Sequence, residues 1–361
     1  MKLIEELVVR ESPSDNKAAV DRLVEFLAGR FEELPAKCVV HRTKNFGNHL
    51  QVEYGGGKRQ VFVLGHSDTV WPLGTLKRIP FKVQGRIAGG PGIFDMKASL
   101  AAFYFALKAI RDLKLSPPRR IVALFDSDEE VGSHSSRKLI ASMAKKSDHV
   151  FVLEPPISPH GGLKTERKGV GVFHLKVYGV AAHAGIAHEA GANAVEELAH
   201  QTLRLQRMNN RREGITVNVG VVQGGTRSNV VPAYAEAEID ARIRSTHQGS
   251  ELTKKIYSLK PVNPLTRLEI SGGINRPPLE RTPQIAALFR RARLLGRELG
   301  IELKEGSTGG GSDGNFTAAL GVPTLDGLGM VGDNAHAVDE YIDVSRLAER
   351  IALLTRLLTL N

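Results

Sequence analysis

The chain of 361 residues contains one cysteine, Cys38, and one tryptophan. A single thiol excludes an internal disulfide and a thiolate metal cluster, and it is typical of proteins from a reducing compartment. No apolar run approaches the roughly 20 residues needed to cross a bilayer. The first residues, MKLIEELVVRES, place Glu5 and Glu6 where an export signal requires an unbroken apolar core. We therefore expect a cytoplasmic protein without a membrane anchor.

The remaining composition is that of an ordinary globular protein, with 42% hydrophobic and 24% charged residues, and the length predicts two domains. The formal net charge of +10 raises the question of a nucleic-acid partner. The basic residues are scattered along the chain, however, and zinc-finger spacing, an RNP aromatic pattern and a helix-turn-helix signal are all missing. We expect no nucleic-acid binding, and the positive charge equally favours small anionic substrates through electrostatic steering.

Strand-like and helical patterns alternate up to about residue 154, which predicts an α/β fold with a mixed, largely parallel sheet and helices on both faces. After about residue 168 the order of elements becomes β-α-β-β-α-β, the ferredoxin-like α+β arrangement. The α/β pattern then resumes with a helix at 282–299. The sequence therefore predicts a domain made of residues 1–167 and 275–361, interrupted by an inserted domain at 168–274.

The stretch VLGHSDTVW at 63–71 ends a buried strand with His66 and Asp68. Ligands bind at the carboxyl ends of strands in open α/β sheets, and residues two apart in extended backbone point to the same side. A carboxylate beside an imidazole can hold one ring N–H and leave the other nitrogen for a metal or a proton. The alternative is a polar turn with a solvated histidine.

Acidic side chains follow other predicted strands or open a helix. They are Asp95, Asp126, Asp128, Glu129, Glu130 and Glu154. Carboxylates packed together raise one another's pKa unless cations neutralise them, and carboxylates with imidazoles suit Zn²⁺ or a similar divalent ion. Each acidic pair alone is typical of a capped helix or an ion-paired loop, but their joint placement at strand ends favours a metal site. If the backbone stays extended, Glu129 and Glu130 diverge, so that one binds metal and the other faces the reacting water.

Two further segments carry weaker signals. His336 lies in the loop VGDNAHAVDEY before the last predicted helix, and a lone loop histidine is more often solvated than a ligand. The glycine-rich turn STGGGSDGNF at 307–316 opens a helix, which suits a phosphate, but it lacks the Lys-Ser/Thr of a P-loop.

Eight motifs in this order resemble those of the M20 family of metallopeptidases, most closely its glutamate carboxypeptidase (carboxypeptidase G2-like) branch. They are GHSDTVW, GPGIFDMKASL, FDSDEEVGS, VLEPP, AAHAG, GGTRSNVVP, DARIR and NAHAVDEY. The resemblance covers nearly the whole chain and implies a zinc exopeptidase-like catalytic domain with an inserted ferredoxin-like lid and dimerisation domain. The chain departs from the pattern after Lys97, where relatives often have Gly-Gly and this chain has Ala98-Ser99.

The resemblance also implies a metal site with two Zn²⁺ per chain, for which Co²⁺ or Mn²⁺ are the alternatives. One ion would be held by His66, Asp95 and Glu154, and the other by Asp95, Glu130 and His336, with Asp95 as the bridge. Glu129 would be the general base, and Asp68 would orient His66. The resemblance therefore implies that the strand ends at 66–68 in a metal ligand, His66, and the residue that orients it, Asp68.

The inserted domain would contribute to the reaction as well. The resemblance implies that His183 of AAHAG donates a hydrogen bond to the oxyanion in the site of the partner subunit of a homodimer. Arg242, with Asn218 and Asn229, resembles the residues that hold the substrate carboxylate. From the residues alone, His183 is equally a turn residue and Arg242 an exposed strand charge.

These expectations combine into a metal-dependent exopeptidase that releases a C-terminal, glutamate-like amino acid from short peptides or N-acyl amino acids. The second hypothesis is a deacylase of the acetylornithine or succinyl-diaminopimelate type. The third is a metal-dependent binding protein without catalysis, against which the general base Glu129 argues, because binding alone needs no proton acceptor.

Overall fold

The computed structural model describes residues 1–360, which divide into two compact units. The first consists of Met1–Glu166, Arg281–Thr308 and the segment from Ser312 onward; the second consists of Arg167–Glu280 and Gly309–Gly311. The sequence predicts that the inserted domain ends at residue 274, whereas the second unit extends to Glu280. One reason is that the last strand of this unit continues to Arg276 and pairs there with Val170.

The first part of the chain builds most of the first unit. Its elements are α1 (Lys2–Val8), α2 (Lys17–Glu32), β1 (Ala36–His41), β2 (His49–Tyr54), β3 (Gln60–His66), β4 (Lys82–Gln84), β5 (Ile87–Gly89), α3 (Ala98–Asp112), β6 (Arg120–Asp126), α4 (Arg137–Ala144), β7 (Val150–Val152) and β8 (Leu163–Arg167). Local signals start these helices: the side chain of Asn16, for example, accepts the N–H of Ala19 and caps α2.

The middle of the chain forms the second unit, and the last part returns to the first. The middle elements are β9 (Gly169–Tyr178), α5 (Ala194–Gln206), β10 (Thr216–Gly224), β11 (Tyr234–Ile243), α6 (Thr246–Tyr257) and β12 (Arg267–Arg276). The last elements are α7 (Pro283–Glu298), β13 (Glu305–Thr308), α8 (Gly314–Ala319), β14 (Thr324–Leu325), β15 (Gly332–Asp333), β16 (Tyr341–Asp343) and α9 (Leu347–Leu358).

The central sheet of the first unit has six strands in the order β1-β2-β6-β3-β7-β14. The pairs β6-β3, β3-β7 and β7-β14 are parallel, whereas β1-β2 and β2-β6 are antiparallel. Smaller sheets with the orders β15-β16-β5-β4 and β13-β8 belong to the same unit. The mixed, largely parallel sheet expected from the sequence is confirmed.

Helices cover both faces of this sheet. Val61 and Val63 of β3 belong to a core formed with α1, α2, α3, α7 and α9, whereas Phe62 and Leu64 belong to a core formed with α4 and α8. Since successive side chains of a strand point to opposite faces, burial on both faces explains why β3 reads as a continuous apolar run. All seven residues of β3 are buried, so the polar His66 at its end occupies a rigid position.

The second unit is a four-stranded antiparallel sheet in the order β10-β11-β9-β12, with two helices. With β9, β10, β11 and β12 as first to fourth strands, this is the ferredoxin-like order expected from the sequence. Apolar residues of one sheet face, such as Phe173 and Ile239, pack with Leu198 of α5 and Leu252 of α6. The opposite face carries several polar side chains, among them His174, Glu238 and Asp240. Within residues 1–360, no helix has the length and apolarity required to cross a membrane.

Candidate metal centre

Three neighbouring parallel strands bring polar residues to one edge of the central sheet. His66 ends β3, and its Cα partner in register is Asp126 at the end of β6. Glu154 follows β7 by two residues, and β7 pairs with β3 on its other side. The carboxyl-terminal edge of the parallel strands therefore holds an imidazole among carboxylates, as the sequence predicts.

The two ring nitrogens of His66 have different surroundings. Nδ1 lies 3.0 Å from the main-chain oxygen of Asp68 and 3.6 Å from its Oδ1. Nε2 lies 3.0 Å from Oδ1 of Asp95 and 3.7 Å from Oε1 of Glu154. A carbonyl only accepts, so Nδ1 carries a proton. Nε2 faces carboxylate acceptors and therefore requires either a second proton or a metal ion bound to its lone pair. Asp68 lies beside His66, in a position suited to the orienting role predicted from the sequence. The acceptor of Asp68 nearest to Nδ1 is its main-chain oxygen rather than its carboxylate.

Asp95 lies between the two histidines. It belongs to an irregular turn at 93–97, in which Asp95 (φ −119°, ψ 90°) departs from helical geometry, and α3 begins after this turn at Ala98. Its Oδ1 faces His66, whereas its Oδ2 lies 3.4 Å from Nε2 of His336. The same nitrogen of His336 is 3.3 Å from Oε1 of Glu130. The two oxygens of one carboxylate are thus directed at two separate histidines.

Glu129 and Glu130 lie in a turn rather than in extended backbone, which corrects the local geometry expected from the sequence. Glu129–Val131 form one 3₁₀ turn, closed by Gly132 at φ 102°. The carboxylate of Asp68 accepts the N–H groups of Glu129 (3.3 Å) and Glu130 (3.2 Å). The two acids still diverge. Ligand atoms of Glu129, His66 and Glu154 lie within 4.8 Å of one another, and so do those of Glu130, His66 and Asp95.

The histidines and acids of this site shift one another's pKa values. Burial lowers the pKa of His66, but its contacts with Asp68 and Asp95 outweigh this and raise that pKa well above its usual range. Hydrogen bonds to Asp95 and Glu130 raise the pKa of His336 to about 10. Burial works against ionisation of Asp95, yet His336 and His66 lower its pKa, whereas burial raises the pKa of Glu130. The carboxylates therefore stabilise a positive charge at or beside both histidines.

This donor set fits divalent cations. An imidazole lone pair that faces carboxylate oxygens at 3.0–3.7 Å requires a cation between the acceptors, either a proton or a metal ion. Oε1 of Glu130 is buried and lies 3.3 Å from Nε2 of His336, a contact that a shared cation would strengthen. Nitrogen and carboxylate oxygen ligands without thiolates suit Zn²⁺ and related ions. The five predicted ligands therefore lie together and form a candidate metal centre.

Asp126 and Asp128 lie outside this ligand set. Asp126 is fully buried, and burial together with the charges of Asp313 and Asp68 raises its pKa well above the usual range. Asp128 is also fully buried, and its Oδ2 accepts a hydrogen bond from the hydroxyl of Ser135 at 2.8 Å. The raised pKa of Asp126 favours its protonated form over a role as a metal ligand.

Arg242 and Asn218 lie on the polar face of the sheet in the second unit. Asn218 is in register with Asp240 of the neighbouring strand. The guanidinium of Arg242 binds both oxygens of Asp240, with Nε–Oδ1 at 2.9 Å and Nη2–Oδ2 at 2.8 Å. Its Nη1 donates to the carbonyl of Gly309 at 3.4 Å. Arg242 is therefore anchored by an acid of its own strand, a partner that the sequence reasoning did not include.

His183 and Asn229 are neighbours in the loops of the second unit. The main chain of Ala184 donates to the carbonyl of Asn229 at 3.0 Å, and His183 forms an isolated bridge with Val230. Nδ1 of His183 accepts the N–H groups of Gly185 and Ile186, both at 3.2 Å. Because Nδ1 accepts, the proton lies on Nε2, which leaves an exposed donor.

Sequence reasoning missed Glu340, a buried acid near the centre that accepts four hydrogen bonds. It is buried, with 2% of its surface exposed, and accepts hydrogen bonds from the main chain of Gly92, Phe94 and Asp95 and from the indole of Trp71. Burial raises its pKa, and these donors oppose that shift. Its spacing of four residues from His336 was visible, but its donors lie at least 245 residues away in the chain.

Residues 62–360 match the model of peptidase family M20/M25/M40. The chain belongs to this family. It is 29% identical over 367 residues to carboxypeptidase G2 of Pseudomonas sp. (strain RS-16), covering 99% of this chain and 88% of that protein. It is 27% identical over 370 residues to a succinyl-diaminopimelate desuccinylase of Xanthomonas campestris pv. campestris, covering 98% and 96%. The resemblance inferred from the eight motifs is confirmed, and the chain is an M20 metallo-hydrolase.

Solved structures agree in fold. Aminopeptidase PepT of Bacillus cereus has a TM-score of 0.80 at 20% identity and covers 99% of this chain and 96% of that one. The YXEP protein of Bacillus subtilis, described as a dinuclear metal-binding peptidase of the M20 family, has a TM-score of 0.66 at 14% identity and covers 99% and 96%. At such identities these likenesses establish the fold and leave the substrate open.

Proposed function

We propose that this M20 hydrolase is a two-zinc carboxypeptidase that releases a C-terminal, glutamate-like amino acid from short peptides or N-acyl amino acids. The carrying observation is the arrangement of Asp95, whose two carboxylate oxygens face Nε2 of His66 and Nε2 of His336. An arrangement of one carboxylate between two imidazoles suits a pair of cations. The match to carboxypeptidase G2 over 99% of the chain supports the carboxypeptidase reaction.

Bound at this centre, two divalent cations would supply the positive charge that polarises an amide carbonyl and makes water a better acid. His66, Asp95 and Glu154 would hold one ion, and Asp95, Glu130 and His336 the other. Co²⁺ and Mn²⁺ are alternatives to Zn²⁺, since the ligands are nitrogen and oxygen atoms.

Glu129 is the proposed general base. It lies beside His66 and Glu154, with ligand atoms within 4.8 Å, so its carboxylate is within reach of a water directed at the substrate. Glu129 takes a proton from that water as the water oxygen attacks the amide carbon. It then delivers a proton to the amide nitrogen as the carbon–nitrogen bond breaks, and the amino acid leaves as an amine.

Residues of the second unit complete the proposed site in a homodimer. The Nε2 donor of His183 would stabilise the negative oxygen that develops on the amide carbon, and this donor would come from the partner subunit. The substrate carboxylate would be held by Arg242, Asn218 and Asn229. The guanidinium of Arg242 would either leave Asp240 to bind the substrate or bind both carboxylates at once.

Exposed apolar residues at one edge of the second unit support such a dimer. Edge strand β10 exposes 55% of Val222, and Leu203 of α5 is 58% exposed. An open strand edge with apolar neighbours is a ready surface for pairing with an identical edge under two-fold symmetry.

A linear-amide deacylase is the second candidate, supported by the 27% identity with succinyl-diaminopimelate desuccinylase over 98% of the chain. A single panel separates the two. Zinc-loaded protein is assayed for amine release from N-acyl-glutamates, glutamate-ending dipeptides, N-acetylornithine and N-succinyl-diaminopimelate. Fastest turnover of the glutamate-ending compounds supports the carboxypeptidase. Preference for either of the last two supports the deacylase, and no amine release from any compound contradicts both.

A further inference from the structure

Glu340 connects three chain segments that each carry a proposed metal ligand. Its Oε2 accepts Nε1–H of Trp71 and the N–H of Gly92, both at 2.9 Å. Its Oε1 accepts the N–H of Phe94 at 2.8 Å and that of Asp95 at 3.0 Å. An ionised carboxylate offers about four lone-pair positions, so every acceptor position of Glu340 is used.

The donors belong to different parts of the chain. Trp71 lies five residues after His66, and Gly92, Phe94 and Asp95 form the turn that carries the bridging carboxylate. Glu340 itself lies four residues after His336, and its own main chain donates to the carbonyl of Ala337 at 3.0 Å. A single buried carboxylate therefore ties the His66, Asp95 and His336 segments together.

We propose that Glu340 is a positioning residue that fixes the spacing between Asp95 and His336, and that its loss weakens binding of the ion at Asp95, Glu130 and His336 before it unfolds the protein. The inference rests on the proposed two-ion centre. Among the proposed metal ligands, Asp95 donates to Glu340, and it does so through its main-chain N–H rather than its carboxylate. Glu340 would therefore act by positioning the ligands and not as a ligand itself.

The chemistry of the four donors requires a carboxylate here. Glutamine has nearly the same shape, but its amide offers one oxygen and places an NH₂ group where two N–H donors now point. In Glu340→Gln at least two of the four donors face another donor and lose their acceptor. The turn at 92–95 then moves away from the loop of His336, and the distance between the two ligands changes.

Glu197 provides a matched control in the second unit. It is also buried, with 1% exposed, and accepts the N–H groups of Val262 (2.9 Å) and Asn263 (2.8 Å) and the side chain of Gln201. Glu197→Gln thus removes the same kind of buried carboxylate without touching a proposed ligand segment. It should lower the melting temperature of metal-free protein and leave metal affinity unchanged.

The experiment measures Zn²⁺ binding to metal-free wild type, Glu340→Gln and Glu197→Gln by competition with a chelator, together with the melting temperature of each metal-free protein. We expect wild type to bind two ions. In Glu340→Gln, the affinity for the ion at Asp95, Glu130 and His336, called the second ion, should be roughly 10- to 100-fold lower, the range typical of residues that orient metal ligands. Trp71→Phe, which removes one of the four donors, should weaken the same ion by less, and it serves as the test if Glu340→Gln does not fold.

Two results would overturn the inference separately from the proposed function. In the first, wild type binds two ions, and both Glu340→Gln and Trp71→Phe bind two ions as tightly as wild type does. Glu340 then has only a structural role, and the two-ion centre stands. The same conclusion holds if Glu197→Gln weakens the second ion as much as Glu340→Gln does. If wild type binds fewer than two ions, the two-ion centre itself is wrong, and the role of Glu340 falls with it.

Discussion

The carboxylate of Asp68 accepts the main-chain N–H of Glu130 at 3.2 Å. The same carboxylate accepts the N–H of Glu129 and the hydroxyl of Ser14, whose Oγ lies 2.7 Å from Oδ2. Asp68 was expected to orient His66, yet its carboxylate has a second task, because it anchors the turn that presents the two acids.

This anchoring predicts the effect of Asp68→Asn. The amide keeps the shape of the side chain but turns an NH₂ group toward N–H donors of the acidic turn, so Glu129 and Glu130 shift. We expect activity at saturating Zn²⁺ to fall by roughly 10- to 100-fold, as for other residues that orient metal ligands. Steady-state kinetics provide the measurement. Ser14→Ala, which removes only the hydroxyl donor, should lose far less, and equal losses in the two variants would argue against the anchoring role.

Glu129 and Glu130 should respond differently to truncation. Glu129→Ala should lower kcat by about 10²- to 10⁴-fold while both ions stay bound, since a general base acts on water. Glu130→Ala should instead lose one ion, because no neighbour replaces the ligand. Metal analysis beside kinetics distinguishes these outcomes. Since Glu129 lies as close to His66 and Glu154 as a ligand would, loss of metal in Glu129→Ala would mean that the two roles are exchanged.

His149, which precedes β7 and is not a proposed metal ligand, should give the protein a pH-dependent stability. Burial, helped by the charges of Arg119 and Arg291, lowers the pKa of His149 from 6.5 to about 4. Between these values the unfolded chain binds a proton that the folded protein excludes, so stability is present above about pH 6.5 and is lost as the pH falls toward 4. The shift corresponds to about 3 kcal/mol.

Denaturant unfolding at pH 7 and pH 4 tests this prediction against His149→Phe. The ring of His149 lies 4.8 Å from that of Phe151, so phenylalanine fits an aromatic environment without a titrating group. The free energy of unfolding should fall by about 3 kcal/mol less in the variant than in wild type over this range. An identical loss in both proteins would show that His149 does not titrate on unfolding as described.

The dimer and the role of His183 are tested together by mixing two inactive chains, Glu129→Ala and His183→Ala. If His183 serves the partner's site, each mixed dimer has one site with both defects and one with none, and activity reappears. If it serves its own chain, every site in the mixture keeps one defect. Verified mixed dimers without activity above that of either parent would contradict action across the subunits and leave the metal chemistry untouched.

The sequence was informative wherever local pattern and sheet geometry agree. The buried run of β3 and the strands before Asp126 and Glu154 predicted which side chains meet, since parallel strands bring their carboxyl ends to one edge. The antiparallel order of the second unit followed from the order of its elements in the same way. The positions of these residues were therefore predictable without a structure.

Other features depend on contacts that no local pattern encodes. The sequence argument considered an extended backbone at Glu129 and Glu130 and did not predict the 3₁₀ turn. The acceptor that anchors this turn, Asp68, lies 61 and 62 residues earlier, so no local pattern reveals it. No local pattern distinguishes Glu340, since its partners are 245 to 269 residues distant. Likewise, Asp240 would compete with the substrate carboxylate for Arg242, the residue that the DARIR motif predicts to bind the substrate. The motif alone does not reveal that the two side chains bind each other.

Metal removal and restoration test the central claim, that this chain hydrolyses amides with two divalent ions held by His66, Asp95, Glu130, Glu154 and His336. Purified protein is analysed for bound metal, stripped with a strong chelator, assayed for amine release, and then reloaded with Zn²⁺ or Co²⁺. We predict close to two ions per chain, loss of hydrolysis in the stripped protein and recovery on reloading. Full activity in protein verified to be free of metal would contradict the account.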